Sequence, residues 1–279
     1  MATQDLGVNR VNRHDLFYTR DDVAQHCVQL LLESGRATAG STWIEPAAGT
    51  GAFLRAVENL TSGTITPIAL DLLPRGPDIT QTDFLAWEPL PHKDTIVYGN
   101  PPFGRSSVTA RAFIRHAALF ADTIAFILPR SFTKPSMQSA FPSCFHLLLS
   151  ESLPHHSFIV NDKPHDVPCV FQIWVRKPTS RAAATRVDPV GFEYTRGGEY
   201  DLAIRRVGAT AGTAYLPSLV HHNPNTHYFI TLSPSHRAHA RRIMELVNEQ
   251  EFPTNTTGAR SISQSEINVI LNPLLHRAR

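Results

Sequence analysis

The sequence predicts an α/β protein with an open, mostly parallel sheet. Short apolar segments alternate with segments whose apolar residues recur at helical spacing, and the first strands end in polar or glycine-containing loops. This alternation is typical of βαβ units, in which helices cover parallel strands. The apolar segments 157–160 and 167–175 flank a turn-rich stretch and are predicted to close the same sheet as antiparallel strands.

The individual elements follow from local patterns. Helical spacing predicts helices over 21–32, over 52–60 and from Val108 to Phe120, while apolar runs predict strands at 42–44, 65–70, 79–84, 95–98, 123–128 and 145–149. A segment rich in Ala, Thr, Ser and Pro, 177–185, is the predicted linker. We therefore expect a first domain over 1–180 and a small C-terminal α+β extension over 181–279.

The C-terminal extension carries helix-start signals and arginines. Ser233 followed by Pro234 predicts a helix N-terminus, and Ser263 followed three residues later by Glu266 has capping-box spacing. Another three arginines are expected on the helix that starts at Ser233, where they form either a phosphate-contacting face or a solvated surface: Arg237, Arg241 and Arg242. By its position, this extension is expected to recognise the substrate.

Composition excludes several classes of protein. The 279 residues carry 26 Lys and Arg against 24 Asp and Glu, so a net charge of +2 does not by itself indicate nucleic-acid binding. The three cysteines form no CxxC pair, and the paired histidines at 155–156 and 221–222 lack neighbouring ligands, so no metal site is expected. Without a signal peptide or a long apolar segment, we expect an intracellular, cytoplasmic protein with no membrane partner.

Three strand ends carry residues suited to a nucleoside-like ligand. Glu45 opens a small-residue loop through Gly51 that matches neither the dinucleotide fingerprint nor the phosphate-binding P-loop. Its carboxylate suits a cationic or amino-bearing ligand. Asp71 is placed to accept hydrogen bonds from a ribose diol, while Asp83 and Phe84 suit an adenine amino group and ring face. Each of these could also belong to an ordinary turn.

The segment Asn100-Pro101-Pro102-Phe103 suggests chemistry on an aromatic amine. The lone pair of such an amine is delocalised into the ring, so acceptors for its two hydrogens favour attack by the nitrogen. The Asn100 side chain supplies one carbonyl oxygen, and the rigid Pro-Pro unit presents a backbone carbonyl as the second. Phe103 can stack on the base. The alternative is a proline-rich surface turn.

Together these residues resemble the class I S-adenosylmethionine-dependent methyltransferases, and among them the N6-adenine DNA methyltransferases of bacterial, phage and large-virus type. The resemblance covers roughly residues 14–180 and implies a Rossmann-like seven-stranded sheet. Phe17-Tyr18-Thr19 is similar to the family's FYTP segment, with Arg20 in place of the proline. The implied contacts to S-adenosylmethionine are Tyr18, Thr19, Glu45, Ala47, Gly49, Gly51, Phe53, Asp71, Leu72, Asp83 and Phe84, and the implied catalytic residues are Asn100, Pro101, Pro102 and Phe103.

The resemblance implies methyl transfer to N6 of adenine, with DNA as the expected partner and RNA as an alternative. Enzymes that methylate RNA adenine, RNA guanine or protein glutamine share the Asn-Pro-Pro loop, and an idle nucleic-acid-binding module is a further alternative. Four arginines are candidate nucleic-acid contacts: Arg105, Arg130, Arg205 and Arg206.

Overall fold

A computed structural model describes residues 17–38, 40–89, 94–183, 187–196, 198–217, 222–256 and 259–277. The chain divides between residues 183 and 184 into two compact units, each with its own hydrophobic core. Because Arg181 donates to the carbonyl of Phe141 and lies over the Trp174 ring, it belongs to the first unit.

The first unit contains the predicted α/β sheet. Its strands are β1 (Tyr18–Thr19), β2 (Thr42–Glu45), β3 (Ile68–Asp71), β4 (Thr80–Gln81), β5 (Thr95–Gly99), β6 (Thr123–Pro129), β7 (Phe145–Ser152), β8 (Phe158–Val160), β9 (Lys163–His165) and β10 (Cys169–Arg176). Its helices are α1 (Asp21–Glu33), α2 (Ala52–Thr61), α3 (Val108–Ala117) and α4 (Pro135–Gln138).

Seven strands form one sheet in the order β4-β3-β2-β5-β6-β10-β7. The five strands β4, β3, β2, β5 and β6 run parallel to one another, whereas β10 runs antiparallel to its two neighbours, β6 and β7. Alternation along the strands buries both faces: Trp43 packs with α1 and α2, while Ile44 packs with α3. The predicted mostly parallel sheet with closing antiparallel strands is confirmed.

One detail of the closing strands was predicted wrongly. The segment 157–160 lies outside the main sheet, because β8 pairs with β1 and with β9 in a separate three-stranded sheet. The turn predicted over 161–166 is only two residues long, since Asn161 and Asp162 adopt positive φ and β9 follows at once. In the main sheet, β10 pairs with β6 on one side and with β7 on the other.

The predicted strand over 79–84 is also shorter than expected. Only Thr80–Gln81 forms a strand, and Phe84–Ala86 forms a turn of 3₁₀ helix. The physical reason is local: the Asp83 carboxylate accepts a hydrogen bond from the Leu85 amide at 2.9 Å and starts that turn.

The second unit is an antiparallel sheet covered by helices. Its strands are β11 (Phe192–Thr195), β12 (Leu202–Arg205), β13 (Ala214–Tyr215) and β14 (His227–Leu232), in the order β11-β14-β12-β13, and its helices are α5 (Pro234–Arg237), α6 (Ala240–Asn248) and α7 (Gln264–Arg277). Ser263 and Glu266 exchange hydrogen bonds before α7, which confirms the capping box.

The expected arginine face in the second unit was wrong. α5 ends at Arg237 and α6 begins at Ala240, so Arg237 and Arg241 do not share one helix. Arg237 contacts Asp201, and Arg242 contacts Glu245. These acidic partners neutralise two of the three arginines.

Candidate active site

A cavity of about 330 Å³ opens at the carboxyl ends of β2, β3 and β5. Open parallel sheets bind ligands at this edge, where the loops leave the strands. Its walls combine β1, the three strand-end loops and the start of α3, and the residues concerned are Phe17–Thr19, Glu45–Thr50, Ala52, Phe53, Asp71–Leu73, Thr82–Leu85, Asn100–Phe103, Thr109 and Phe113.

Most residues that the sequence nominated for the cofactor lie in this wall. Those lining the cavity are Tyr18, Thr19, Glu45, Ala47, Gly49, Phe53, Asp71, Leu72, Asp83 and Phe84, together with Asn100, Pro101, Pro102 and Phe103. Gly51 does not line it: this glycine precedes α2 in the left-handed conformation, with φ of 79°. A glycine at this position allows the left-handed backbone conformation from which α2 begins.

The loop after β2 is held in place by Asp71. One carboxylate oxygen of Asp71 accepts from the Gly49 amide at 2.7 Å, and the other accepts from the Leu73 amide at 2.7 Å. The Ala48 amide also donates to the Leu70 carbonyl. Both oxygens of Asp71 thus already serve the protein, and each keeps acceptor capacity for a further donor.

Glu45 is the buried carboxyl group of the site. Only 1% of it is exposed, and Oε2 has no hydrogen-bond partner among the described residues. Burial raises the pKa of the Glu45 carboxyl to about 8, and Asp71 adds to the rise while Arg55 opposes it. A carboxyl group in this condition favours a ligand that brings a positive charge.

The Asp83–Phe84 corner forms the outer wall. Phe84 is buried and packs against Phe113 at 5.1 Å and His116 at 4.8 Å between ring centroids. Leu72 and Leu85, by contrast, line the cavity while 61% and 39% exposed. These two leucines supply the accessible apolar surface here. The sequence nominated Leu72 as a cofactor contact, but it gave no motif that would have identified Leu85.

The Asn100 side chain is oriented by β1. Its Nδ2 donates to the Phe17 backbone carbonyl at 3.1 Å, and its Oδ1 is buried and has no partner within the described part of the chain. A side-chain carbonyl in a cavity wall can accept a hydrogen bond from an amine that enters. The sequence nominated Asn100 but gave no indication that a main-chain carbonyl would orient it.

Phe103 and Gly104 fix the far side of the same loop. Phe103 packs against both core clusters of the first unit, and its carbonyl accepts from the Ala110 amide. Gly104 has φ of 68°, and a Cβ there would lie 2.1 Å from the Thr109 hydroxyl oxygen. A larger residue would therefore displace the loop from α3.

The segment Phe17-Tyr18-Thr19 forms the third wall. The Tyr18 ring packs so closely on the loop after β2 that a Cβ at Gly49 would lie 3.2 Å from it. Burial raises the Tyr18 pKa, with Arg75 opposing and Asp71 adding to that rise. Arg20, which replaces the family's proline, donates its amide to the Ser157 carbonyl, a bond that proline would lack.

The four arginines nominated as nucleic-acid contacts lie outside the cavity wall. Arg105 is exposed just after the loop 100–103, and Arg130 follows β6. In the second unit, Arg205 donates to the Val207 carbonyl, and Arg206 lies over the Tyr228 ring at 5.0 Å. Their proposed contact with nucleic acid stays a prediction.

The strand order and the direction of β10 decide the fold. Both features agree with the mostly parallel, Rossmann-like seven-stranded sheet that the sequence predicts. No family model matches this sequence, and no curated protein sequence matches it either. Within the described residues, no three His, Cys, Asp or Glu side chains cluster as metal ligands. The helices of that same described part are too short or too polar to cross a membrane.

Solved structures resemble this chain at low sequence identity. A candidate RNA methyltransferase from Pyrococcus horikoshii shares 15% identity with a TM-score of 0.47, covering 61% of this chain and 92% of its own. A candidate class I S-adenosylmethionine-dependent methyltransferase from Listeria monocytogenes shares 16% with a TM-score of 0.45, covering 63% and 66%. A type I restriction-modification methyltransferase subunit from Streptococcus thermophilus shares 15% with a TM-score of 0.44, covering 92% and 58%.

Proposed function

We propose that this protein transfers a methyl group from S-adenosylmethionine to the exocyclic N6 amine of adenine in DNA. The observation that carries the proposal is the Asn100 side chain, whose amide nitrogen is anchored on the Phe17 carbonyl while its buried Oδ1 lacks a partner. A buried acceptor without a donor is costly in a folded protein. A substrate amine would supply that donor.

The residues of the cavity fit the cofactor. Three buried polar atoms in its wall lack hydrogen-bond partners in the described chain: the Tyr18 hydroxyl, Glu45 Oε2 and Asn100 Oδ1. Glu45 would face the positively charged end of the cofactor, Asp71 its ribose, and Leu72 and Leu85 its adenine. When bound, S-adenosylmethionine supplies an electrophilic methyl group on its sulfonium sulfur.

The protein's part in the reaction is to hold the amine. Asn100 Oδ1 accepts one amine hydrogen, and the backbone carbonyl of Pro101 is the candidate acceptor for the other. These two acceptors draw electron density toward the nitrogen and orient its lone pair, while Phe103 supports the base face. The rate then comes from positioning and from fixed dipoles, and the surplus proton leaves to solvent after the bond to carbon forms.

The depth of Asn100 restricts the form of the DNA. Because Oδ1 is shielded from solvent within the cavity wall, a base paired inside a duplex cannot reach it. The target adenine would be flipped out of the helix or presented on a single strand. In the first unit, Arg105 and Arg130 are proposed to contact the flanking nucleotides.

The test offers labelled S-adenosylmethionine to duplex DNA, single-stranded DNA, RNA and cell protein in parallel. We expect label in DNA with wild-type protein and none with the Asn100→Ala variant. Label that accumulates in RNA or in protein glutamine would replace the substrate while leaving the cofactor and the loop in place. Cofactor binding without transfer to any substrate would favour an idle nucleic-acid-binding module.

A further inference from the structure

Glu45 differs from every other acidic residue nominated for the cofactor because it is fully enclosed. Its side chain is 1% exposed at the end of β2, and a Cβ at Gly99 on β5 would lie only 3.2 Å from its Cγ. The Glu45 side chain therefore lies close against β5 at the wall of the cavity.

Among the described residues of the first unit, no basic group satisfies Glu45 Oε2 with a hydrogen bond. The charge nearest in effect is that of Asp71, which is itself negative, and the cation on α2 that acts on Glu45 is Arg55. Arg55 is committed elsewhere: it donates to the Thr50 carbonyl at 2.7 Å and to Asp21 of α1 at 2.5 Å. Asp21 is exposed, so this ion pair lies on the surface.

The groups on β5 do not compensate Glu45 either. Tyr98 has a buried hydroxyl that lacks a partner in the part of the chain described, and burial, with Glu45 adding to the effect, raises the pKa of that hydroxyl well above its usual value. Its ring packs edge-on against Trp43 on β2 and Phe53 on α2. Burial and the negative charge of Asp71 therefore both favour the protonated form of Glu45, and only the occupied Arg55 opposes them.

We propose that Glu45 carries a proton in the ligand-free protein, releases it when the cationic cofactor enters, and regains it once methyl transfer has left a neutral thioether. This inference rests on the proposed function, because it concerns the same cavity. Glu45 then distinguishes the cofactor from its product by one charge. It holds the first as a carboxylate and the second as a carboxylic acid.

The charges and protons balance over the cycle. Cofactor binding exchanges one proton from Glu45 for one sulfonium charge in the cavity. In the transfer step, the bond between carbon and sulfur breaks with its electron pair left on sulfur, and the substrate nitrogen gains the methyl group. The nitrogen then loses its proton to solvent, and Glu45 takes one proton from solvent as the positive charge disappears.

The pH dependence has a definite sign. In ligand-free protein the Glu45 pKa lies at about 8, so binding of a cation below that pH releases a proton and becomes tighter as the pH rises. For one fully linked proton the affinity rises about tenfold per pH unit. Binding of the neutral product is expected to depend less on pH.

The test is titration calorimetry of the full chain with S-adenosylmethionine and with S-adenosylhomocysteine. Each titration is run at about pH 7 in phosphate and in Tris, whose different ionisation enthalpies report the protons released. We expect release close to one proton for the cofactor and clearly less for the product. The Glu45→Gln variant is expected to release none, and Glu58→Gln, an exposed change on α2, is expected to match wild type.

Each result decides the matter. If both ligands bind wild type without proton release, the inference is wrong while the proposed cofactor stands. If the Glu45→Gln variant releases as many protons as wild type, another group is responsible. If that variant binds neither ligand, Glu45→Asp is titrated instead, and retained release supports a carboxyl group at this position whereas no release overturns it. Absence of binding by wild type overturns the proposed function and the inference together.

Discussion

The two ends of the cavity use polar side chains in opposite ways. At the β3 end, both oxygens of Asp71 accept backbone hydrogen bonds and fix the loop that contains Gly49. At the β5 end, Asn100 is anchored through its nitrogen, and its oxygen has no partner among the described residues. The acceptors at the β3 end are therefore satisfied by the protein itself, whereas the β5 end leaves one acceptor open for the proposed substrate. Substitutions should accordingly change binding at one end and turnover at the other.

Asn100→Ala should have the largest effect. Removing the acceptor aimed at the amine should lower the rate of methyl transfer by about 100- to 1000-fold, because a fixed polar group of this kind acts mainly in the transition state. Cofactor affinity should stay within about threefold. Single-turnover kinetics and a binding isotherm measure the two quantities, and a large loss of cofactor affinity with normal turnover would reverse the assignment of the two ends.

Asp71→Ala should mainly affect binding. Two backbone amides lose a charged acceptor, so the free energy of unfolding should fall by about 2 to 3 kcal/mol and cofactor affinity by about 100-fold. Asp71→Asn keeps one carbonyl oxygen and should fall between wild type and alanine. Denaturant unfolding measures the stability and calorimetry measures the cofactor affinity. An alanine variant with unchanged affinity would show that cofactor binding does not need the hydrogen bonds that Asp71 accepts from the backbone.

Gly49→Ala should have a smaller effect that separates strain from contact. Its positive φ and the Tyr18 ring at 3.2 Å both oppose a side chain, so we expect about 2 kcal/mol of destabilisation and a tenfold loss of affinity. Gly35→Ala is the matched control, since its φ is also positive but no atom lies within 4 Å of the new Cβ. Equal losses in stability and in affinity at both positions would show that contact with the Tyr18 ring does not cause the effect at Gly49.

Glu45→Gln should have the smallest effect on the stability of the ligand-free protein near neutral pH, where the glutamine replaces a protonated acid. The folded pKa of Glu45 is raised from about 4.5 to about 8, so its stabilising contribution is complete below the lower value and is lost as the pH rises through the higher one. Melting temperatures of ligand-free wild type should thus fall toward alkaline pH more steeply than those of the variant. Parallel curves would mean that Glu45 is ionised throughout.

The sequence predicted the residues that line the cavity better than the contacts between distant segments that hold those residues in place. Periodicity located the sheet and the motifs located Asp71 and Asn100, because short local patterns determine where strands end and which side chains follow them. Pairing between distant segments leaves no such pattern: the carbonyl of Phe17 that orients Asn100 is 83 residues away. The same limit explains why β8 was assigned to the main sheet, since its partner β1 has only two residues.

The most direct test of the central claim is the identity of the modified nucleoside. DNA is incubated with the protein and labelled S-adenosylmethionine and is then digested to nucleosides, which are separated and identified by mass spectrometry. The Asn100→Ala variant is treated in parallel. The account predicts N6-methyldeoxyadenosine that disappears with the variant. A methylated cytosine, or methylated adenine formed equally well by the variant, would contradict it.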